Sequence, residues 1–195
     1  KYGIILPLKE SYLQKSSGAV SIFVNEYLKN SMISNDTIVF TNKLKGTYLS
    51  KNVCEIDGNT AFFSNLNYIK KICRTNLFNK LDHVEIHNRP LYAEYIKKNY
   101  PNIKISLFLH NTFFQKNSII NNKRKNYLLN NCDSIIFVSN FLKKQFFYNL
   151  NIKDRNNAHV IYNSVSKANK FNKKKQKLVV FAGKLNKSKG FNIFI

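Results

Sequence analysis

Short β-branched and aromatic runs recur along this chain, and most are followed by a stretch whose apolar residues return every three or four positions. The runs Tyr2–Leu6, Thr37–Phe40, Asn52–Ile56, His83–Ile86, Lys104–Leu109, Ser134–Val138, Ala158–Tyr162 and Leu178–Phe181 predict strands. Several of them, such as SIIFV and LVVFA, are unbroken in hydrophobicity, the pattern of strands covered by helices on both faces. Helical spacing appears over Gly18–Met32, where Ile22, Phe23, Tyr27 and Leu28 fall near one face. It recurs over Leu66–Phe78, Leu91–Asn99, Ser118–Asn131 and Asn140–Leu150. Pro90 stands just ahead of the third of these, where a helix's first turn tolerates the missing N–H.

Strand and helix alternating through short links predict an α/β fold, a doubly wound, Rossmann-like parallel sheet with helices on both faces. The rhythm breaks at residues 166–177, a polar stretch containing Lys173, Lys174 and Lys175, which reads as a linker. Residues 1–165 would then form one domain. Residues 178–195 would open a second Rossmann-like domain with its first strand and part of a helix. The chain starts at Lys1, almost inside a strand, and ends shortly after Lys189-Gly190 leads into a helical pattern, so a fragment truncated at both ends is expected.

Composition narrows the classes. Hydrophobic residues make up 44% of the 195, enough for a core. No apolar run approaches the ~20 residues of a membrane span. The three cysteines, Cys54, Cys73 and Cys132, are far apart and lack metal-ligand spacing, as expected of buried, reduced thiols. The formal net charge of +22 comes almost wholly from lysine, because only Arg74, Arg89, Arg124 and Arg155 are arginines. Abundant lysine with abundant asparagine and isoleucine fits A/T-rich codon usage, but a count of only 10 acidic residues still favours anionic partners.

In open parallel sheets, ligands bind at the loops beyond the carboxyl ends of the strands. Four such loops carry suggestive residues. The first ends in SSGAVS, where Gly18 could offer backbone N–H groups to a phosphate at a helix start. The second is VEIHNRP, which puts His87 and Arg89 at a strand end. The third, LFLHN, repeats the arrangement with His110 at the next strand end. In the fourth, FVSN, Ser139 or Asn140 reads as a helix cap. Near the C-terminus, LVVFAGKLNKSKGF runs from strand through glycine and a basic loop into a helix, so that Gly183, Lys184 and Lys189 could hold phosphate. Dinucleotide, P-loop and nucleophile-elbow signatures are absent, as are metal-ligand clusters.

Taken in order, the segments SSGAVSIFVNEYL, VEIHNRP, ISLFLHN, CDSIIFVSNFLKKQF, HVIYNSV and VVFAGKLNKSKGFNIFI resemble the retaining, nucleotide-sugar-dependent glycosyltransferases of the two-domain GT-B fold (family 4, glycosyl transferases group 1). The resemblance implies an N-terminal acceptor-side domain of such an enzyme, transferring a sugar from a nucleotide-sugar donor to a glycan or lipid-linked acceptor in cell-surface polysaccharide or lipopolysaccharide synthesis. It implies a cytoplasmic protein, with the lysine excess favouring contact with anionic lipid on the inner face of the plasma membrane. No metal or other cofactor is implied, since fixed cations and backbone N–H groups stabilise the leaving diphosphate. Residue by residue, Gly18, Gly183, Lys184 and Lys189 would bind the donor phosphates, and His87 would face the transferred sugar or acceptor hydroxyl as the catalytic residue. Arg89 and His110 would orient acceptor groups. The chain departs from the family's pattern at Asn163-Ser164, usually Asn-Gly, and at Gly183-Lys184, usually Gly-Arg, where lysine lacks the bidentate fork. Two other readings compete. The 195 residues could be catalytically inert as they stand, or they could form a basic nucleic-acid-binding module, which scarce arginine and the lack of an aromatic RNA motif disfavour.

Overall fold

The computed structural model describes all residues except 59–63, 113–118, 149, 151, 153, 165–176, 184, 186, 188, 189 and 195. It divides into two compact units, Lys1–Val165 and Ser166–Ile195. The expected linker over residues 166–177 lies almost wholly outside the described residues.

The first unit is built on seven described strands: β1 (Tyr2–Ile5), β2 (Thr37–Asn42), β3 (Val53–Ile56), β4 (His83–His87), β5 (Lys104–Leu109), β6 (Ser134–Phe137) and β7 (Ala158–Val160). They pair in parallel throughout, in the order β3-β2-β1-β4-β5-β6-β7. Five helices connect them: α1 (Ala19–Lys29), α2 (Asn65–Cys73), α3 (Pro90–Asn99), α4 (Ile119–Asn131) and α5 (Asn140–Phe147). The fold is therefore the doubly wound, Rossmann-like α/β arrangement read from the sequence. From β1 the chain steps outward to β2 and β3. It then returns past β1 through α2 and builds β4 to β7 in the opposite direction. This reversal between β1 and β4 opens a crevice at the strands' carboxyl ends.

Two hydrophobic layers hold the sheet. On one face Ile5, Phe40, Val84, Ile86, Ile105, Leu107, Ile135 and Phe137 pack against α2, α3, α4 and α5 through residues such as Tyr68, Ile72, Tyr92, Ile96, Leu128 and Phe146. On the other face, among the described residues of this unit, α1 sets Val20, Val24 and Leu28 on Ile4, Leu6 and Val39. That asymmetry explains β4. Its residues alternate, with Val84 and Ile86 wholly buried under the helices, while His83, Glu85 and His87 turn to the sparsely covered face. A strand half open on one side tolerates polar residues there, so β4 reads as alternating and not as a continuous apolar run.

Local chemistry sets the element ends. Ser64 caps α2 by accepting from the Asn67 N–H, and Ser139 caps α5 by accepting from the Leu142 N–H, the role read for it from the sequence. Pro90 opens α3 at its first turn. Helix α1 stops three residues before the expected Met32, where the Asn30 side chain donates to the Glu26 carbonyl and competes with the next helical bond. The three cysteines are free, and burial pushes the thiols of Cys73 and Cys132 up to about 12, which keeps them protonated. No helix among the described residues is long and apolar enough to cross a membrane.

The second unit shows a single helical turn, α6 (Phe191–Phe194), with the Phe181 ring against Phe191 and Phe194. Among the described residues, the expected strand Leu178–Phe181 pairs with no other strand, and Leu178, Val179 and Val180 are exposed. A strand takes its stability from a neighbour's hydrogen bonds and side chains, and among the described residues this stretch has no strand neighbour.

The packing predicts a sharp contrast between two isoleucines. Ile86→Ala, at a fully buried position of β4, should lose about 2–5 kcal/mol in urea denaturation. Ile22→Ala, on the exposed side of α1, should stay within about 0.5 kcal/mol of the parent chain.

Candidate functional site

The reversal of strand order brings the ends of β4 and β5 to the crevice, and the two strand-end histidines meet there. His87 is the last residue of β4 and wholly buried, while His110 follows β5 and is half-buried. Parallel register pairs His87 with Phe108, so His110 extends just past it. The ring nitrogens His87 Nδ1 and His110 Nε2 are 2.9 Å apart, with the rings near-parallel at 29°. The other nitrogen of His87, Nε2, lies 2.6 Å from Glu85 Oε1, two residues back on the same face of β4. Tyr27, from α1, donates its hydroxyl to that same Glu85 oxygen at 2.6 Å. A continuous line of hydrogen bonds thus joins Tyr27, Glu85, His87 and His110.

The surroundings of this line are aromatic. Phe23 of α1 presents an edge-to-face contact to His110, at 5.2 Å between centroids, and another to His87 at 6.0 Å. Phe108 stacks on His87 at 5.0 Å. Both α1 residues follow from helical periodicity, since Phe23 and Tyr27 are four apart and share a face. Beyond Glu85 a cavity of about 180 Å³ is lined by Tyr27, His83, Ser106, Phe108 and Ile136, among others. Glu85 retains 19% side-chain exposure.

Asn88 couples the two strand ends. It adopts φ +54°, a conformation open to asparagine because its short polar side chain bonds locally. Its N–H donates to the Phe108 carbonyl at 2.8 Å, and its Oδ1 accepts from the His110 N–H at 2.8 Å. Arg89 then donates from Nη1 to the Asn88 carbonyl at 2.8 Å and from Nε to Asn65 Oδ1 at 3.3 Å, where Tyr92 also donates. Among the described residues, Arg89 thus meets the histidine pair through Asn88.

Burial holds His110 and Tyr27 of this site in their neutral forms. Burial, reinforced by neighbouring His87, lowers the His110 imidazole to about 3, so it is uncharged near neutral pH. Burial beside the Glu85 carboxylate pushes the Tyr27 phenol well above its usual range, so it remains a donor. His83 is also lowered by burial, and its Nε2 lies 2.8 Å from the Ser106 hydroxyl.

The remaining candidates separate from this cluster. Gly18 is the N-cap of α1, but its N–H donates to the Ser11 carbonyl at 3.1 Å. The place expected for a phosphate is taken by Glu10, whose Oε1 accepts from the Ser21 N–H of the first turn at 3.0 Å. Gly18's use is steric: a Cβ here would come within 2.1 Å of that carboxylate oxygen. A carboxylate at a helix N-terminus satisfies both the free N–H and the dipole, so this loop is closed by the chain itself. Gly183 lies in the second unit, exposed and facing the Phe181 ring. Lys184 and Lys189 lie outside the described residues. Among the described residues, no group of three or more His, Cys, Asp or Glu could hold a metal ion.

The sequence reading named His87, His110 and Arg89 as candidates and assigned no role to Glu85, Tyr27, Phe23 or Asn88, which lie beside the two histidines. The two-residue alternation of His83, Glu85 and His87 on a strand was the available signal for Glu85. No protein-family model matches the chain, and no curated protein matches it significantly.

Two outcomes follow. Gly18→Ala should cost about 1 kcal/mol by displacing the Glu10 cap. Glu10→Ala should cost a similar amount, and the double variant little more than either, as urea denaturation would measure. For pH, the unfolded chain protonates His110 near 6.5, whereas the folded chain resists until about 3. Stability should therefore be fully present above pH 6.5 and fall as the pH drops through that window. In His110→Gln the denaturation midpoint should decline less steeply between pH 6.5 and 4.

Proposed function

We propose that this chain is the acceptor-side, N-terminal domain of a retaining glycosyltransferase that moves a sugar from a nucleotide-sugar donor to a glycan or lipid-linked acceptor. The observation that carries this reading is the hydrogen-bonded His87–His110 pair at the carboxyl ends of β4 and β5, beside the reversal of strand order. A sugar presents neutral hydroxyls and an apolar ring face. It is met here by a neutral imidazole set against Phe23, with His87 stacked on Phe108 behind it. Such a pocket edge suits a sugar better than it suits a phosphate.

Glycosyl transfer develops negative charge on the departing nucleoside diphosphate and positive charge on the sugar ring. His110, being uncharged, orients a hydroxyl and takes no proton from it. His87, with both ring nitrogens occupied, supports His110 from behind. The N–H of Gly18 is engaged with Ser11, so in this reading charge on the donor phosphates falls to Gly183, Lys184 and Lys189, with Arg89 beside the acceptor. Activity of this kind belongs on the cytoplasmic side of the plasma membrane, where a lysine-rich protein is drawn to anionic lipid.

The test uses the full-length gene product, a panel of nucleotide sugars and membrane extract as acceptor, with released nucleoside diphosphate as the readout. His110→Ala should lower kcat/KM about 100-fold, comparable to the loss of one preorganised hydrogen bond. Consumption of no nucleotide sugar, or transfer unchanged in His110→Ala, would overturn the assignment.

A further inference from the structure

We infer that Glu85 and Tyr27 are positioning residues that fix the tautomers of His87 and His110, leaving His110 Nδ1 as a bare acceptor for a ligand hydroxyl. The identity of that hydroxyl as a sugar's rests on the function proposed above; the tautomers rest on the hydrogen-bond geometry and on each imidazole carrying one proton.

An ionised carboxylate can only accept. Glu85 Oε1 meets two partners, the Tyr27 hydroxyl and His87 Nε2, each at 2.6 Å, so both donate. A neutral imidazole carries a single N–H. With that proton on Nε2, His87 Nδ1 is a lone pair, and the atom facing it at 2.9 Å, His110 Nε2, must donate in turn. The proton of His110 is thereby committed inward and its Nδ1 is left bare. No partner for that Nδ1 is present among the described residues. Because His87 is entirely buried, water has no access to offer its ring an alternative partner. Phe23 and Phe108 pack against both rings.

The direction of this line has a chemical consequence. A bare nitrogen attracts a hydroxyl or N–H and repels an anionic oxygen, so His110 selects a hydrogen-bond donor and rejects phosphate. Tyr27 contributes by occupying Glu85 from the helix side.

Long-range 1H–15N correlation spectra of imidazole-labelled protein at neutral pH test this directly. The chain has only four histidines, so assignment by single His→Gln variants is practical. The parent protein should show His87 and His110 each with a protonated Nε2 and a bare Nδ1. Glu85→Leu should convert His110 to a mixture of both tautomers, while Glu85→Gln, whose amide oxygen still accepts from His87, should keep the single form. Added inorganic phosphate should leave the His110 Nδ1 signal unmoved. A protonated Nδ1 on His110 in the parent protein overturns the inference, and this holds even if Glu85→Leu fails to fold. So does an unchanged tautomer in a folded Glu85→Leu, or a phosphate-induced shift of that nitrogen. Loss of the glycosyltransferase reading would leave these spectra as they are, so the two failures are distinguishable.

Discussion

In β4 the side chains of Val84 and Ile86 pass into the core beneath α2 and α3, and the strand's two-residue period then turns His83, Glu85 and His87 to the opposite face. Burial of the two aliphatic residues fixes the register with β1 and β5, because a slip of one residue would put an acid and two imidazoles into the core. The hydrophobic term and the chemistry are therefore the same constraint seen from two sides. The placement of Glu85 beneath Tyr27, and of His87 beside His110, is a by-product of packing that the domain needs in order to fold.

The opposite face works because it is incompletely covered. Among the described residues of this unit, four helices cover one side of the sheet and α1 lies on the other. A fully sealed face would demand apolar residues along β4 and β5. A bare one would leave the hydrogen bonds competing with water. With α1 supplying Phe23 and Tyr27, the line is dry at His87 and wetter at both ends, where Glu85 and His110 retain partial exposure. Hydrogen bonds in such a setting are directional and stronger than in bulk solvent.

Most of the fold was legible because strand and helix periods are local properties. The runs around Ile86, Leu107 and Ile135 announced their strands, and Ser139 announced its cap. What could not be read was tertiary. Glu85 became part of the site only when α1 brought Tyr27 to it across 58 residues. Gly18 looked like a phosphate cradle, since the pattern of serines and glycine before a helix is shared by anion sites and ordinary caps. Glu10, eight residues earlier, decides between them by folding back onto the helix start. The run Leu178–Phe181 had strand-like composition, yet a strand is a relation between two segments, and composition reports only one of them.

Asn88 carries a consequence for how this site could change by mutation. Its left-handed backbone admits few residues besides glycine, asparagine and aspartate, and its side-chain oxygen is needed by the His110 amide. Glycine would keep the turn and release the second strand end. Aspartate would keep both, while bringing a negative charge beside an imidazole that the present arrangement holds neutral. The accessible alternatives at this one position thus lead either to a looser site or to a cationic one, and a site that works by neutral contacts would be held at asparagine by geometry and charge together.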